Sequence, residues 1–273
     1  MKQFLIIISI LLISSAFVFQ YEIDEFKPFP HESINKGEQL DYRIHYGIFT
    51  VGNAKVKVYP ELYRVNDRSC YKVDVYGETV GTVKWFAKVD DNWGGFVDSK
   101  ALLPHMSWRN IKEGKYRKNE IVNFDHKDKS IEVKTINNKT GKFKEPKYYK
   151  APNNVKDLVG GFLYLRAIDY SKYKLKDTIK MNAFFEDTVY NFRILYMGKD
   201  KVKTKAGTFK ALKLVPVMPD NKIFAGENSV TLWLSDDENK IPIKAEANMF
   251  IGKAGVELNG FKNVKHEPSL VNR

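Results

Sequence analysis

Histidine is the side chain most often recruited for metal binding and proton transfer. The chain has five, His31, His45, His105, His126 and His266. No two stand at i, i+2 or i+4, the spacings by which one strand or helix supplies converging ligands, so no histidine metal site is expected. The single cysteine, Cys70, excludes an internal disulfide and a cysteine-rich zinc centre; it reads as a small strand residue. Carboxylates run together at Asp90-Asp91 and Asp236-Asp237-Glu238. A glycosidase needs two carboxyl groups roughly 5–10 Å apart across a cleft, one of them kept protonated by burial. Neighbours on a turn are solvated and fail that condition. The second run also lacks the spacing and glycine of a calcium loop. No nucleophile elbow, phosphate loop or H-E-x-x-H stretch occurs, and Ser99, Ser107 and Ser229 stand in no hydrolase frame. No catalytic residue, metal site or cofactor is expected.

The residues that remain suit binding. Trp85, Trp93 and Trp233 are large amphipathic rings in a chain with 14% aromatic residues. Trp85 shares a face with Val83 and Val89 and is expected in the core. Trp233 lies opposite Leu232 and Leu234, so one of the two faces of that strand needs cover. A helix near 155–170 would supply it, as would a bound lipid chain or sugar. Lys199, Lys201, Lys203 and Lys205 fall on one side of a strand, with Val202, Thr204 and Ala206 on the other. Like charges in a row repel, so that side is wet or meets an anion; lysines also guard a sheet edge against stray pairing. The candidate ligand contacts are therefore Trp233, Trp85 and Trp93, with Lys201, Lys203 and Lys205 at the rim.

The elements that position these residues have a period of two. Leu40, Tyr42, Ile44 and Tyr46 alternate with polar residues; the chain turns at 47–52, and Ala54, Val56 and Val58 resume the pattern. Tyr71, Val73 and Val75, then Val83, Trp85, Ala87 and Val89, repeat it around a turn near 77–81. Further strands are expected near 94–98, 104–109, 115–124 and 130–136. Residues 109–150 are basic and thinly apolar, and read as exposed strands with a polar turn at 137–141. The period changes once. Val155, Leu158, Val159, Phe162, Leu165 and Ile168 recur at spacings of three and four, which predicts a helix, capped by Asn153 or Asn154. Gly160-Gly161 inside it points to close packing on a sheet or a break. Alternation returns with Ile179, Met181, Ala183 and Phe185, then Phe192, Ile194 and Tyr196. Strands follow at 208–217 and 229–235, then Ile241 to Met249, and a last hairpin turns at 252–255. The tail from His266 is polar and expected to fray.

The fold class expected is mainly β: antiparallel, barrel-like or sandwich-like curved sheets with one short helix near 155–170. No βαβ rhythm is present, which argues against a doubly wound nucleotide-binding fold. The expected organisation is a lead-in at 21–37, then one β-rich domain at 38–265. Its halves, 38–150 and 175–265, are joined by the helix, and 266–273 is the tail.

Residues 1–16, or to 20, read as a signal peptide: Lys2, an apolar run from Phe4, and Ser14-Ser15-Ala16, with cleavage near Ala16. The apolar stretch is shorter than the ~20 residues of a membrane-spanning helix. An uncleaved N-terminal anchor is the alternative, and either places the body outside the cytoplasm. There the formal charge of +12 favours anionic lipid, lipopolysaccharide or glycan over nucleic acid, with peripheral membrane contact.

Five stretches carry a resemblance: LDYRIHYGIFTVG at 40–52; the segment from 97 with EGKYRKNEIVNFD, to 125; DLVGGFLYLRAI at 157–168; GTFKALKLVP at 207–216; and VTLWLSDDENKIPIKA at 230–245. They are similar to a family of exported proteins of Gram-negative bacteria classed as a domain of unknown function. The resemblance implies one mostly-β exported domain and no catalytic residues. Some members look loosely like the half-barrel carriers of lipoproteins in the periplasm. The first functional expectation is thus a non-catalytic envelope protein binding an amphiphilic or anionic envelope component. A scaffold of the periplasm or outer membrane is the second. A glycan or peptidoglycan hydrolase using Asp236 or Asp90 is the third.

Overall fold

The computed structural model describes residues 26–218, 226 and 228–271; the expected signal peptide and its cleavage point lie outside them. The alternation read from the sequence becomes fourteen strands and little helix. The first run holds β1 (Gln39–Tyr46), β2 (Phe49–Val65), β3 (Arg68–Thr79), the helical turn α1 (Val83–Phe86), β4 (Asp90–Asp98), β5 (Pro104–Glu113), β6 (Tyr116–Asp125), β7 (Ser130–Thr135) and β8 (Lys147–Lys150). After α2 (Leu158–Ala167) come β9 (Thr178–Phe185), β10 (Thr188–Thr204), β11 (Gly207–Val217), β12 (Val230–Ser235), β13 (Pro242–Asn248) and β14 (Lys253–Lys262).

Each run is an antiparallel meander. The pairing of β1 with β14 welds the two into one sheet, ordered β8-β7-β6-β5-β4-β3-β2-β1-β14-β13-β12-β11-β10-β9. The sheet is not closed by a ladder between β8 and β9, its two edges. They are brought together instead by the segment before α2, where Lys156 bridges Ala183 in parallel, and by the β9–β10 hairpin tip. There Glu186 pairs with Arg109 and with Lys118 (2.8 Å), and Asp187 with Lys147 (2.7 Å).

The inner face is packed by α2. Asp157 caps it, its Oδ1 accepting from the Gly160 N–H at 2.6 Å. The expected caps, Asn153 and Asn154, stand before it in the preceding turn, Asn154 with a left-handed φ of 56°. The two glycines are there for close approach. A Cβ on Gly160 would sit 3.3 Å from Pro104, and one on Gly161 3.3 Å from the Met181 methyl. Val159 and Leu163 of α2 join the main core with Leu40, Val58, Val73, Val97 and Leu258. Leu165 joins a second core with Ile179, Ile194, Leu214 and Leu234. Arg166 is fully buried and knits three distant segments. Its guanidinium donates to both Glu38 oxygens (2.5 and 2.8 Å), to the Ser33 carbonyl (2.5 Å) and to the Asn239 carbonyl (3.0 Å).

Three expectations are corrected. Residues 83–89 do not form a strand: 83–86 is a single helical turn, and Trp85 is 86% exposed rather than in the core. The alternation there is real, but only Val89 pairs with a strand, bridging Glu113 of β5, and no strand lies beside 83–87, so nothing covers the ring of Trp85. The strands of 109–150 are not merely exposed: Val122, Phe124, Ile131 and Val133 form a third core with Phe184 of the opposite meander. Burying one side of those strands needs apolar residues only at alternate positions. The tail is tied down as far as Val271, the last described residue. Asn239 exchanges two 2.8 Å hydrogen bonds with the His266 backbone, Asp237 accepts from the Ser269 N–H at 2.8 Å, and the Val271 N–H donates to Thr208 at 2.7 Å.

Candidate ligand-binding trough

Hairpin arithmetic gives the curved sheet two different ends. The β1–β2, β3–β4, β5–β6, β7–β8, β9–β10 and β13–β14 connections gather at one, which we call the mouth. The β2–β3, β4–β5, β6–β7, β10–β11 and β12–β13 connections, with the lead-in and tail, gather at the base. Helix α2 fills only part of the concave face between them.

Directly opposed residues in antiparallel strands share a face. One row therefore runs Leu214, Leu232, Ala245, Val256, Ile44, Gly52 across six strands. Leu214 is buried, but Leu232, Ala245, Val256 and Ile44 are only half-buried. The next row toward the mouth, Val230, Ala247, Ala254, Tyr46, is also incompletely covered. By contrast, Tyr42 and Leu258, opposed one row nearer the base, are buried.

Two apolar cavities flank the open row. One, of about 320 Å³, lies beside α2 and is walled by Leu158, Phe162, Leu165, Met181, Phe192, Ile194, Leu232 and Met218. The other, of about 330 Å³, is walled by Ile44, Val51, Ala54, Val75, Val89 and Trp93. From Leu232 in the first to Ile44 in the second is three strand spacings, roughly 14 Å. The small side chain of Ala245 leaves the floor between them low. Together they make an apolar trough.

Trp93 is the one tryptophan of the three candidates that lines it. Its ring stacks on Phe185 at 5.9 Å, and the Arg109 guanidinium lies 5.7 Å from the ring centre. Arg109 is held by Glu120 (2.8 Å from Nε) and Glu186. Trp233 projects to the opposite face from Leu232 and Leu234. It is 9% exposed, donates its indole N–H to Asp200 at 2.9 Å, and lies beside Lys213 and Lys244. Helix α2 covers part of the Leu232/Leu234 face and the trough takes the rest. Trp85 stands at the mouth. Lys201, Lys203 and Lys205 are exposed at the base end, far along β10 from the trough. The ladder of β10 with β9 stops at Leu195, so 199–204 is laddered on its β11 side alone, as an edge strand is.

Two ionisable neighbours stand where α2 begins. Burial pulls the Lys156 ammonium down to about 8, against the support of Asp157 and Asp98. Burial pushes the Asp157 carboxyl up to about 6, against hydrogen bonds from the first-turn N–H groups and the charge of Lys156. Asp157 touches both the 320 Å³ cavity and a smaller one near Trp93. Its oxygen is engaged as the helix cap, and Lys156 donates to the Leu102 carbonyl at 2.7 Å. The carboxylates considered for hydrolysis are far apart. Asp90 is exposed at the mouth beside Lys112, and Asp236 pairs with Lys199 at the base. Asp237 instead organises the β12–β13 turn through Ser235, Asn239 and Lys240. Cys70 is packing: burial pushes its thiol up to about 12.

Ile44, Ala245, Val256, Met181 and Phe192 were legible from alternation as sharing one side of their strands, and Leu232 as lying opposite Trp233. That they are left uncovered was not, because alternation reports side and not cover.

An open, antiparallel β-barrel-like sheet with a helix in its concavity is the class that fold and site define. The chain belongs to a family of proteins of unknown function, DUF3108, whose model matches residues 41–259. A search of curated proteins finds no match. Among solved structures it resembles the β-barrel-like protein of unknown function DUF1849 from Brucella abortus. That likeness has a TM-score of 0.53 at 10% identity, over 85% of this chain and 99% of that one. It is also similar to a protein inferred to be exported, with a YmcC-like fold, from Bacteroides fragilis, at a TM-score of 0.30 and 11% identity over 86% and 99% of the two chains. An inferred lipoprotein from Parabacteroides distasonis gives the same values. The first likeness shows a shared fold; the other two are too distant to carry an argument.

Proposed function

We propose that this is a non-catalytic exported protein that holds the apolar chain of an envelope amphiphile in the trough. The half-buried row from Leu232 to Ile44, joining two apolar cavities, carries the reading. A folded protein ordinarily covers such a surface, and concave apolar sites of 300 Å³ or more are where small ligands bind. The N-terminal sequence and the family resemblance support export. Two rivals have less support. A scaffold needs no trough, and a hydrolase needs the facing carboxylates that Asp90 and Asp236 do not supply.

The test is native mass spectrometry of protein purified from the envelope fraction, with titration of a fluorescent fatty acid. A co-purifying amphiphile, displaced by the probe, is the expected result. Leu232→Glu places a charge in the trough floor and should weaken probe binding at least tenfold, since an unpaired charge is strongly disfavoured in an apolar site. A clean apo mass with no probe uptake would overturn the reading.

A further inference from the structure

The mouth has a surface that the trough alone does not explain. Six large apolar side chains project from three loop tips there: Ile48 (91% exposed) and Phe49 between β1 and β2, Trp85 and Phe86 (88% exposed) on α1, and Phe250 and Ile251 (81% exposed) between β13 and β14. The three tips are neighbours, because β3, β2, β1, β14 and β13 are consecutive in the sheet. Scattered single apolar residues are ordinary on a surface; a cluster of this size on adjacent tips marks an interaction site.

The charge around the tips selects the partner. Lys84, Lys88 and Lys253 stand on the same tips; Lys84 pairs with Glu78 (3.3 Å) and Lys253 with Glu246 (3.1 Å), carboxylates set back on the strands, and no Asp or Glu falls within 80–89, 46–51 or 248–254. On the neighbouring mouth connections Lys115, Lys139, Lys142 and Lys144 are exposed; with Lys88, they make no ion pair among the described residues. Exposed aromatic and aliphatic side chains ringed by lysines match a bilayer interface. Its acyl boundary accepts the apolar groups and its anionic headgroups the ammonium groups. Trp is also favoured at headgroup depth.

We infer that the mouth tips dock on an anionic membrane surface, with Phe49, Trp85, Phe86 and Ile251 entering the headgroup region. This deepens the trough reading and rests on it. Docked in this way, the row Tyr46, Ala254, Ala247 opens toward the bilayer, and an amphiphile passes into the trough without exposing its chain to water.

The experiment is co-sedimentation of the exported protein, purified as the producing cell releases it, with vesicles of phosphatidylcholine and phosphatidylglycerol. A variant carrying Phe49→Ser, Trp85→Ser, Phe86→Ser and Ile251→Ser should lose at least tenfold in partitioning. Because these side chains are exposed, it should keep its circular dichroism and its uptake of a fatty-acid probe offered in solution. Replacing Lys88, Lys115 and Lys142 by Gln should weaken binding about fivefold per lysine at low salt. Leu232→Glu should do the reverse of the tip variant, losing probe uptake while sedimenting like the unaltered protein. Unaltered protein that stays in the supernatant, or a tip variant that sediments as well as it, overturns the membrane proposal and assigns the tips to a protein partner. Loss of probe uptake by unaltered protein that still sediments overturns the trough reading alone.

Discussion

The two ends of one curved sheet are built on opposite principles. At the base, turns and termini are tied by specific polar contacts: Arg166 on Glu38, Ser33 and Asn239; Asp237 on its own turn and on Ser269; Asp98 on Arg68 (2.5 Å) and on the N–H groups of Lys100 and Ala101. Burial alone would raise the Asp98 carboxyl, but His105, Arg68 and those N–H groups hold it well below the usual carboxylate range. At the mouth the β9–β10 tip is tied by ion pairs of Glu186 and Asp187, but the β1–β2, β3–β4 and β13–β14 tips end in bare Ile, Phe and Trp. A buried polar group must be satisfied, which locks geometry; an exposed apolar group gains only when something arrives to cover it. The difference teaches that the base maintains the fold and that the mouth and trough are kept available for binding.

The comparison can be broken most sharply at Arg166. Arg166→Leu leaves the Glu38 carboxylate buried without its partner, and truncating one member of such a pair removes about 3–5 kcal/mol of stability. Urea unfolding should show this, and a loss below about 1 kcal/mol would mean the base is not held as described.

Acid should attack the base next. Burial lowers His126 to about 4, against a hydrogen bond to the Pro104 carbonyl at 2.7 Å. The unfolded chain, with an ordinary histidine, binds the proton more readily than the fold does. Stability from this group is therefore full above about 6.5 and lost as pH falls toward 4, by about 3 kcal/mol. His126→Phe should flatten that part of the stability-versus-pH curve; an unchanged slope would place the acid sensitivity elsewhere.

Asp237→Ala frees the N–H groups of Asn239, Lys240 and Ser269 together. It should cost about 1–3 kcal/mol and expose the tail to a carboxypeptidase. A tail that stays resistant would show that the Asn239–His266 pair suffices to anchor it. The smallest effect belongs to the mouth. Phe49→Ser with Trp85→Ser should change the unfolding free energy by no more than about 0.5 kcal/mol. A larger loss would make the tips structural and erase the contrast between the ends.

Much of the architecture was readable from residue order. The strands at 40–46, 104–113, 116–125 and 178–185 announce themselves by alternation, and the helix by its change of period. The pair Gly160-Gly161 left close packing or a break open, and the structure shows the close packing. Other features needed partners that are distant in the chain. Asp157 took the cap from Asn153 and Asn154 because the turn before α2 carries the chain past them. Trp85 left the expected core because no strand pairs with residues 83–87; only Val89 bridges β5. The tail from His266 looked free until Asn239 and Asp237 came beside it.

Composition and periodicity by themselves determined that this chain is mainly antiparallel β with a helix near 155–170, and which side chains share a face along several of the strands. Those are local properties, set by the two-residue repeat of a strand and the three-to-four-residue repeat of a helix. Tertiary structure alone decided that β1 and β14 join across more than two hundred residues, that α2 fills one part of the concavity, and that the rest stays open. Cover is a property of what lies across a gap, and no stretch of sequence records what will stand opposite it.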